Sequence, residues 1–245
     1  MNIEPIAHIR TDLPQKFGIP RQSGLAADLQ GTIVFEPAYA IETAVRGLEE
    51  FTHLWIIWEF ENGATGGTAS DIASDTGTAS KSGTKQGWSP TVRPPRLGGS
   101  TRMGVFATRS PFRPNPLGLS CVRIDRIEMT HEGPVIHVLG ADLRDGTPIY
   151  DIKPYIPYAD CQPGATGGFT DRIEFKPELE VDISAEQLEC IPKDKHLSLM
   201  QVLGNDPRPA YHNDPERIYG LAFAGFNIRF TVDATTLHVV DVAPV

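Results

Sequence analysis

Arg102 to Met129 reads RMGVFATRSPFRPNPLGLSCVRIDRIEM. Its two halves follow different rules. In the second half Val122 and Ile124 alternate with Arg123 and Asp125, the period of a strand with one covered face. The first half is punctuated by Pro111, Pro114 and Pro116, which fix φ and favour turns over regular structure. Strand, then Gly/Pro turn, then strand is the pattern that recurs outward from here. Ile3–Arg10, Thr32–Phe35, Gly104–Thr108, Leu119–Met129 and Val135–Leu139 all read as strands. His53–Phe60, HLWIIWEF, has almost no polar break and predicts a central strand covered on both faces. Tyr39–Phe51 predicts a helix, with Ala40, Ala44, Leu48 and Phe51 three or four residues apart. Regular short strands joined by turns predict a closed or nearly closed sheet, and the lack of long βα alternation speaks against a doubly wound fold.

After Tyr158 the character changes. Asp182–Gln187 predicts a helix start with Ser184 as N-cap. Lys195–Leu203 predicts a helix with Leu197, Met200 and Leu203 on one face and Gly204 as its stop. Ile218–Phe230 and Leu237–Val242 predict a β-hairpin of a small C-terminal domain. Asn62–Gly87 is rich in Gly, Ser, Thr and Ala and lacks aromatics. Such a segment buries too little apolar surface to offset its ordering entropy, so it predicts a flexible insert. The expected domains are therefore 1–160, a β domain carrying the insert 62–87, and 161–245, a small α+β domain.

The formal charge is −9, so any nucleic-acid surface has to be local. Trp88–Gly118 supplies one. It holds five of the chain's 15 arginines (Arg93, Arg96, Arg102, Arg109 and Arg113) and no Asp, Glu or Lys. Guanidinium offers a planar fork of donors suited to phosphate or carboxylate. No run of about 18 apolar residues predicts a membrane span, and the first residues do not read as a signal peptide. The three cysteines, Cys121, Cys161 and Cys190, are widely spaced, which favours a reducing cytoplasm over a disulfide framework. No spacing of His, Cys or carboxylates suggests a metal site. His8 and His53 read as satisfied core or boundary residues.

Four polar clusters punctuate the strands: Pro20–Gly24, the arginine-rich run, Leu143–Tyr155, and Asp206–Tyr211 with Asn227 and Arg229 beyond it. Asp145-Gly146 is a common tight-turn pair. Asp151, Lys153 and Tyr155 alternate, so on a strand they share one face. Read from the residues alone, this face suits proton handling or a weak solvated ion pair, and the arginines suit a non-catalytic RNA-binding β-module equally well.

PTVRPPRLGG, RMGVFATRSPFRPNPLGLS, DGTPIYDIKPYIPYAD and NDPRPAY resemble the TsaA/TrmO family of tRNA methyltransferases, as do IAHIRTDLPQKFGIPRQSGL and AVRGLEEFTHLWIIWEF. The resemblance implies a mainly β fold: a single-sheet β-barrel that binds S-adenosylmethionine, plus a small α+β C-terminal domain that helps bind tRNA. It implies a homodimer that methylates N6 of N6-threonylcarbamoyladenosine beside the anticodon of threonine-type tRNAs, without metal or membrane. By the same resemblance Gln22, Ser23, Gly24, Arg109, Leu119, Asp145, Gly146, Thr147 and Pro148 border the cofactor, and Phe60 packs on its adenine. Family members commonly carry His after this Phe, where Glu61 stands here. Arg113 and Asn115 then orient a carboxylate or phosphate of the substrate. Arg208, Asn227 and Arg229 hold the anticodon arm, and Asp151, Lys153 and Tyr155 are the candidates for substrate alignment and proton transfer. The same fold acting on another acceptor is the alternative; it would bind the cofactor without depending on tRNA.

Overall fold

The computed structural model describes residues 2–60, 89–94, 101–172, 178–209, 212 and 214–245. The expected insert 62–87, and with it Glu61, Trp88 and Arg96, lies outside the described residues.

The chain divides into two compact units, one of residues 1–58 with 119–245, the other of residues 59–118. The described elements run in chain order as β1 (Ala7–Thr11), β2 (Gln30–Phe35), β3 (His53–Glu59), β4 (Thr91–Val92), β5 (Met103–Gly104), β6 (Leu117–Thr130), β7 (Gly133–Leu139) and β8 (Pro148–Pro154). Six of them close into a barrel in the order β1-β2-β7-β6-β3-β8. The barrel is closed by the pairing of β1 with β8, where His8 faces Pro148 and Ala7 faces Ile149. Closure leaves no free sheet edge. Ile9, Ile33, Leu54, Ile56, Val122, Ile136, Val138 and Ile149 are buried, and each comes from a strand whose alternate residues point outward.

β3 alternates strictly between half-buried and buried residues, so it is covered on one face rather than two. Leu54, Ile56 and Trp58 point inward, while His53, Trp55 and Ile57 form part of the outer wall. A barrel strand has one interior face only, and an apolar outer face lengthens the hydrophobic run without adding a second core. The helix expected over Tyr39–Phe51 is absent; two single 3-10 turns, Glu42–Ala44 and Leu48–Glu50, take its place. Gly47 between them has φ +87°, where a right-handed helix cannot continue. The expected strand Gly104–Thr108 is a two-residue strand followed by a 3-10 turn over Val105–Ala107. His8 pairs with Glu36, and His53 Nδ1 lies 2.9 Å from Thr52 Oγ1.

Beyond the barrel come α1 (Pro157–Asp160), β9 (Glu180–Asp182), α2 (Ala185–Glu189), α3 (His196–Gly204), β10 (Tyr219–Phe223), β11 (Phe226–Asp233) and β12 (Thr236–Pro244). α2 starts as expected: Ser184 accepts from Gln187 N–H and the Gln187 side chain returns the bond to Ser184, a capping box. α3 buries Leu199, Val202 and Leu203, whereas Leu197 is exposed. The apolar stripe therefore starts two residues later than expected. Gly204 is the last helical residue, not the residue that stops the helix. β9 to β12 form one sheet in the order β10-β11-β12-β9. The apolar run Ile218–Phe230 holds a hairpin of its own, because Ala224 and Gly225 turn the chain at φ +49° and +83°.

One side of this sheet packs on α3. The same core takes in Leu13, Ala26 and Leu29 from the connection between β1 and β2, beside Leu199, Phe223, Ile228 and Phe230. The loop from 12 to 29 thus belongs to the core of the C-terminal sheet as much as to the barrel.

Candidate functional site

The connection between β7 and β8, residues 140–147, gathers the predicted cofactor segments of the first unit at one end of the barrel. Gly24 N–H donates to the Gly140 carbonyl (2.9 Å), and Gly140 N–H donates to Leu29 (2.8 Å). The approach is close: a Cβ on Gly140 would lie 3.3 Å from Gly24 Cα. The other half of the connection is tied to β1. Asp145 N–H donates to Leu13 O, Gly146 N–H to Ile9 O, and Asp145 Oδ1 accepts from Thr11 N–H at 3.0 Å. Thr147 N–H closes the turn on the Arg144 carbonyl, with Gly146 at φ +79° in the third position, where only glycine sits without strain. The connection thus ties the Gln22–Gly24 loop at Gly140 and, five residues on, the Asp145–Pro148 turn to β1. The Asp145 carboxylate and the buried Thr147 hydroxyl, which donates to Arg144 O, hold the turn.

Below this loop lies a buried polar relay that sequence reasoning missed. Trp58 Nε1 donates to Ser120 Oγ at 2.9 Å, and the Ser120 hydroxyl donates to the Asp142 carboxylate. Ser120 is fully buried. Its signal was present in the alternation of β6: Val122 points inward, so Ser120 must as well, and a polar inward residue needs a partner.

Asp151, Lys153 and Tyr155 occupy the outer wall along β8. Lys153 Nζ lies 2.8 Å from Asp151 Oδ2, and Asp151 Oδ1 accepts from Ile152 N–H. Tyr155 packs against Trp55 at 5.9 Å and His53 at 6.2 Å between ring centres. Desolvation, followed by the neighbouring Cys161, Asp160 and Cys121, pushes the Tyr155 phenol above the usual range. At neutral pH this phenol is a hydrogen-bond donor and not a base. Strand geometry sets the distances along β8. At about 3.3 Å per residue, Asp151 lies about 10 Å from Pro148 and Tyr155 about 23 Å. Tyr155 and the 145–148 turn therefore stand at opposite ends of the strand, and within one chain the structure does not gather the whole predicted set. Leu119, 53% exposed, is on the outer wall of β6, from which β8 is separated by β3.

In the second unit Arg113 braces its own loop. Its Nη1 donates to the carbonyls of Thr108 (3.0 Å) and Ser110 (3.4 Å). Asn115 and Arg109 are exposed, and Phe60 N–H donates to the Pro116 carbonyl.

Arg208 turns its guanidinium into the protein and not out to solvent. It is 7% exposed. Its Nε and Nη2 reach the Asp206 carboxylate at 2.8 and 3.0 Å, and these bonds, with the charge of Asp206 and nearby Tyr219, raise its pKa against burial, which lowers it. The resemblance placed Arg208 at the anticodon arm; a bidentate partner two residues away offsets the cost of burying the guanidinium. Asn227 and Arg229 are exposed on one face of β11. In register with Arg229 stand Gly220 and Asp241, and in register with Asn227 stand Ala222 and Ala243.

Among the described residues no cluster of three or more His, Cys, Asp or Glu is placed to hold a metal, and no helix is long and apolar enough to cross a membrane.

Sequence models of two domains match this chain in order: the tRNA-methyltransferase O N-terminal domain over residues 8–161 and the TrmO C-terminal domain over residues 170–245. A tRNA (adenine(37)-N6)-methyltransferase of Escherichia coli K12 is 39% identical over 250 residues, covering 98% of this chain and 97% of its own. A Pseudomonas aeruginosa protein described as a putative S-adenosylmethionine-dependent methyltransferase is 34% identical over 251 residues, covering 99% and 97%. A crystal structure of TrmO from Pseudomonas aeruginosa superposes with a TM-score of 0.72 at 28% identity, covering 99% of this chain and 98% of that one.

Proposed function

This chain belongs to the tRNA-methyltransferase O family, and from that premise we propose that its acceptor is N6-threonylcarbamoyladenosine at position 37 of threonine-type tRNAs. The coarser activity is S-adenosylmethionine-dependent methylation of tRNA at adenine 37. The observation that carries the reading is the match of both domain models, in order, over nearly the whole chain.

The residues at the barrel end fit the cofactor. Gln22–Gly24 and Gly140–Pro148 bring two backbone segments within hydrogen-bonding distance, and Asp142, held by Ser120, places a carboxylate in the same loop for an ammonium or ribose hydroxyls. When bound, S-adenosylmethionine supplies a methyl on a sulfonium, which leaves as a neutral thioether. The protein's task is alignment, which can supply several kcal/mol, up to roughly 7–11 in ideal cases, and removal of one proton from a urea-like nitrogen. Asp151 is our candidate for the proton acceptor. Lys153 pairs with it, and Tyr155 donates to a substrate oxygen. Arg109 and Leu119 border the cofactor and Phe60 packs on it. Arg113 and Asn115 meet the threonyl carboxylate or a phosphate, and Asn227 and Arg229 meet the anticodon arm. The barrel part, 1–160, carries chemistry and the part from 161 on handles tRNA.

We further propose a homodimer working in the cytoplasm. The separation of about 23 Å between Tyr155 and the cofactor turn is too long for one active centre, and it supports a site completed by a second copy. So does the apolar outer wall, with Leu119 exposed beside Trp55 and Ile57. The test is nucleoside analysis of threonine tRNAs from cells with and without the gene. The proposal expects the methyl group on threonylcarbamoyladenosine to vanish with the gene; its persistence, or loss of a methyl elsewhere, contradicts it.

A further inference from the structure

The turn Asn205–Arg208, which follows α3, is built to hold another part of the chain. Asp206 sits at φ +51°, and Pro207 and Pro209 fix the chain on either side of Arg208. The bidentate Arg208–Asp206 pair locks the turn from within, and Arg208 N–H also donates to Asp206 Oδ1. Two groups then point out of this rigid turn to the same loop. The Arg208 carbonyl accepts from Arg21 Nη2 at 3.3 Å. Asn205 Nδ2 donates to the Leu25 carbonyl at 2.9 Å. These two bonds bracket Gln22, Ser23 and Gly24, and Gly24 is held from the opposite side by Gly140. A second tie lies just beyond: Gln201 of α3 exchanges hydrogen bonds with Asp28, accepting from its N–H and donating to its carboxylate.

We propose that the Asn205–Arg208 turn is a positioning element for the cofactor loop, so that the C-terminal part of the chain sets the affinity for S-adenosylmethionine as well as handling tRNA. Arg208 and Asn205 are positioning residues that act through Arg21 and Leu25; they touch neither cofactor nor tRNA. The inference rests on the reading of Gln22–Gly24 as cofactor-binding. A loop of five residues fixed at both ends and at Gly24 loses less conformational freedom on binding, which is the physical source of the effect.

The test uses the full-length protein and three variants: Arg21→Met, Asn205→Ala and Arg208→Met. Arg21 is exposed, so its replacement leaves the core untouched and keeps the test valid if Arg208→Met folds poorly. S-adenosylmethionine binding is measured by calorimetry without tRNA, and KM for each substrate is measured separately. Each lost bond is expected to raise Kd and KM for S-adenosylmethionine by about 3- to 10-fold. The kcat at saturating cofactor and the KM for tRNA stay within about twofold of the parent. Arg21→Met combined with Arg208→Met is expected to be no weaker than the weaker single variant, because both act through one contact. Unchanged cofactor affinity in Arg21→Met and Asn205→Ala overturns the proposal. A raised KM for tRNA in Arg208→Met with unchanged cofactor affinity also overturns it and makes Arg208 a tRNA contact. Ser23→Trp separates the two readings. If it blocks cofactor binding while the turn variants do not, only this inference fails; if it too leaves binding unchanged, the cofactor assignment of the loop fails.

Discussion

Lys153 Nζ lies 2.8 Å from Asp151 Oδ2 on the outer face of β8, with both side chains substantially exposed. An exposed pair of this kind contributes about 0–1 kcal/mol to stability. Asp151→Asn and Lys153→Ala are therefore expected to fold normally, with melting temperatures close to the parent. If Asp151 accepts the proton, Asp151→Asn lowers kcat by about 100-fold or more with KM for S-adenosylmethionine unchanged. Steady-state kinetics beside a thermal melt read both quantities, and a normal kcat removes Asp151 from the chemistry.

Tyr155 gives a prediction in pH. Desolvation and then Cys161, Asp160 and Cys121 raise its pKa, so the neutral phenol persists from pH 7 to beyond the ordinary phenol value of about 10. The folded protein holds this proton more tightly than the unfolded chain. The stability linked to it is fully present below the unfolded value and is lost as pH rises through the folded one. Ultraviolet titration, with Tyr155→Phe as the difference, is expected to place its ionisation above that of a free phenol. Turnover of the parent should show no rise between pH 7 and 10 that Tyr155→Phe abolishes; such a rise would make the phenolate the base.

The Trp58–Ser120–Asp142 relay predicts a stability effect at a buried residue. Ser120→Ala removes the hydroxyl that the indole N–H and the carboxylate share. The expected loss is about 1–3 kcal/mol, or roughly 2–10 °C in melting temperature for a chain of this size. Because Asp142 sits in the Gly140–Pro148 connection, affinity for S-adenosylmethionine should weaken as well. Differential scanning calorimetry with and without cofactor tests both; an unchanged melt would mean that the relay is energetically idle.

The exposed pair on β11 predicts a salt effect. Arg229→Ala is expected to weaken tRNA binding and to reduce the slope of log K against log salt by about 1, with cofactor KM unchanged. Asn227→Ala should weaken tRNA binding and leave the slope as it is. A filter-binding series across salt concentrations distinguishes them, and unaltered tRNA affinity in both would remove this face of the sheet from the interface.

Much of the barrel was legible in the sequence, because a strand announces itself locally. Val122 and Ile124 against Arg123 and Asp125 show one covered face, and Ser184 with Gln187 spells a helix start. What was not legible depends on distant parts of the chain or on backbone conformation. The apolar spacing over Tyr39–Phe51 was genuine, yet Gly47 took a left-handed φ and the helix never formed. Ala224-Gly225 turned one apolar run into two strands without the Asn-Gly or Asp-Gly that marks most two-residue hairpins. The turn Asp145–Pro148 and the loop Gln22–Gly24 were legible as motifs, and the fold brings them to one barrel end. Ser120 and Asp142 are 22 residues apart, and nothing local pairs them. Arg208 was placed by resemblance, and nothing local showed that Asp206 takes up its guanidinium or that its carbonyl turns toward Arg21.

The central claim is methyl transfer to threonylcarbamoyladenosine 37, and the direct measurement is transfer of labelled methyl from S-adenosylmethionine to purified threonine tRNA with and without that modification. The account predicts label in the modified tRNA alone, lost with Asp151→Asn. Equal label in both tRNAs, or none in either despite measurable cofactor binding, would contradict it and point to another acceptor.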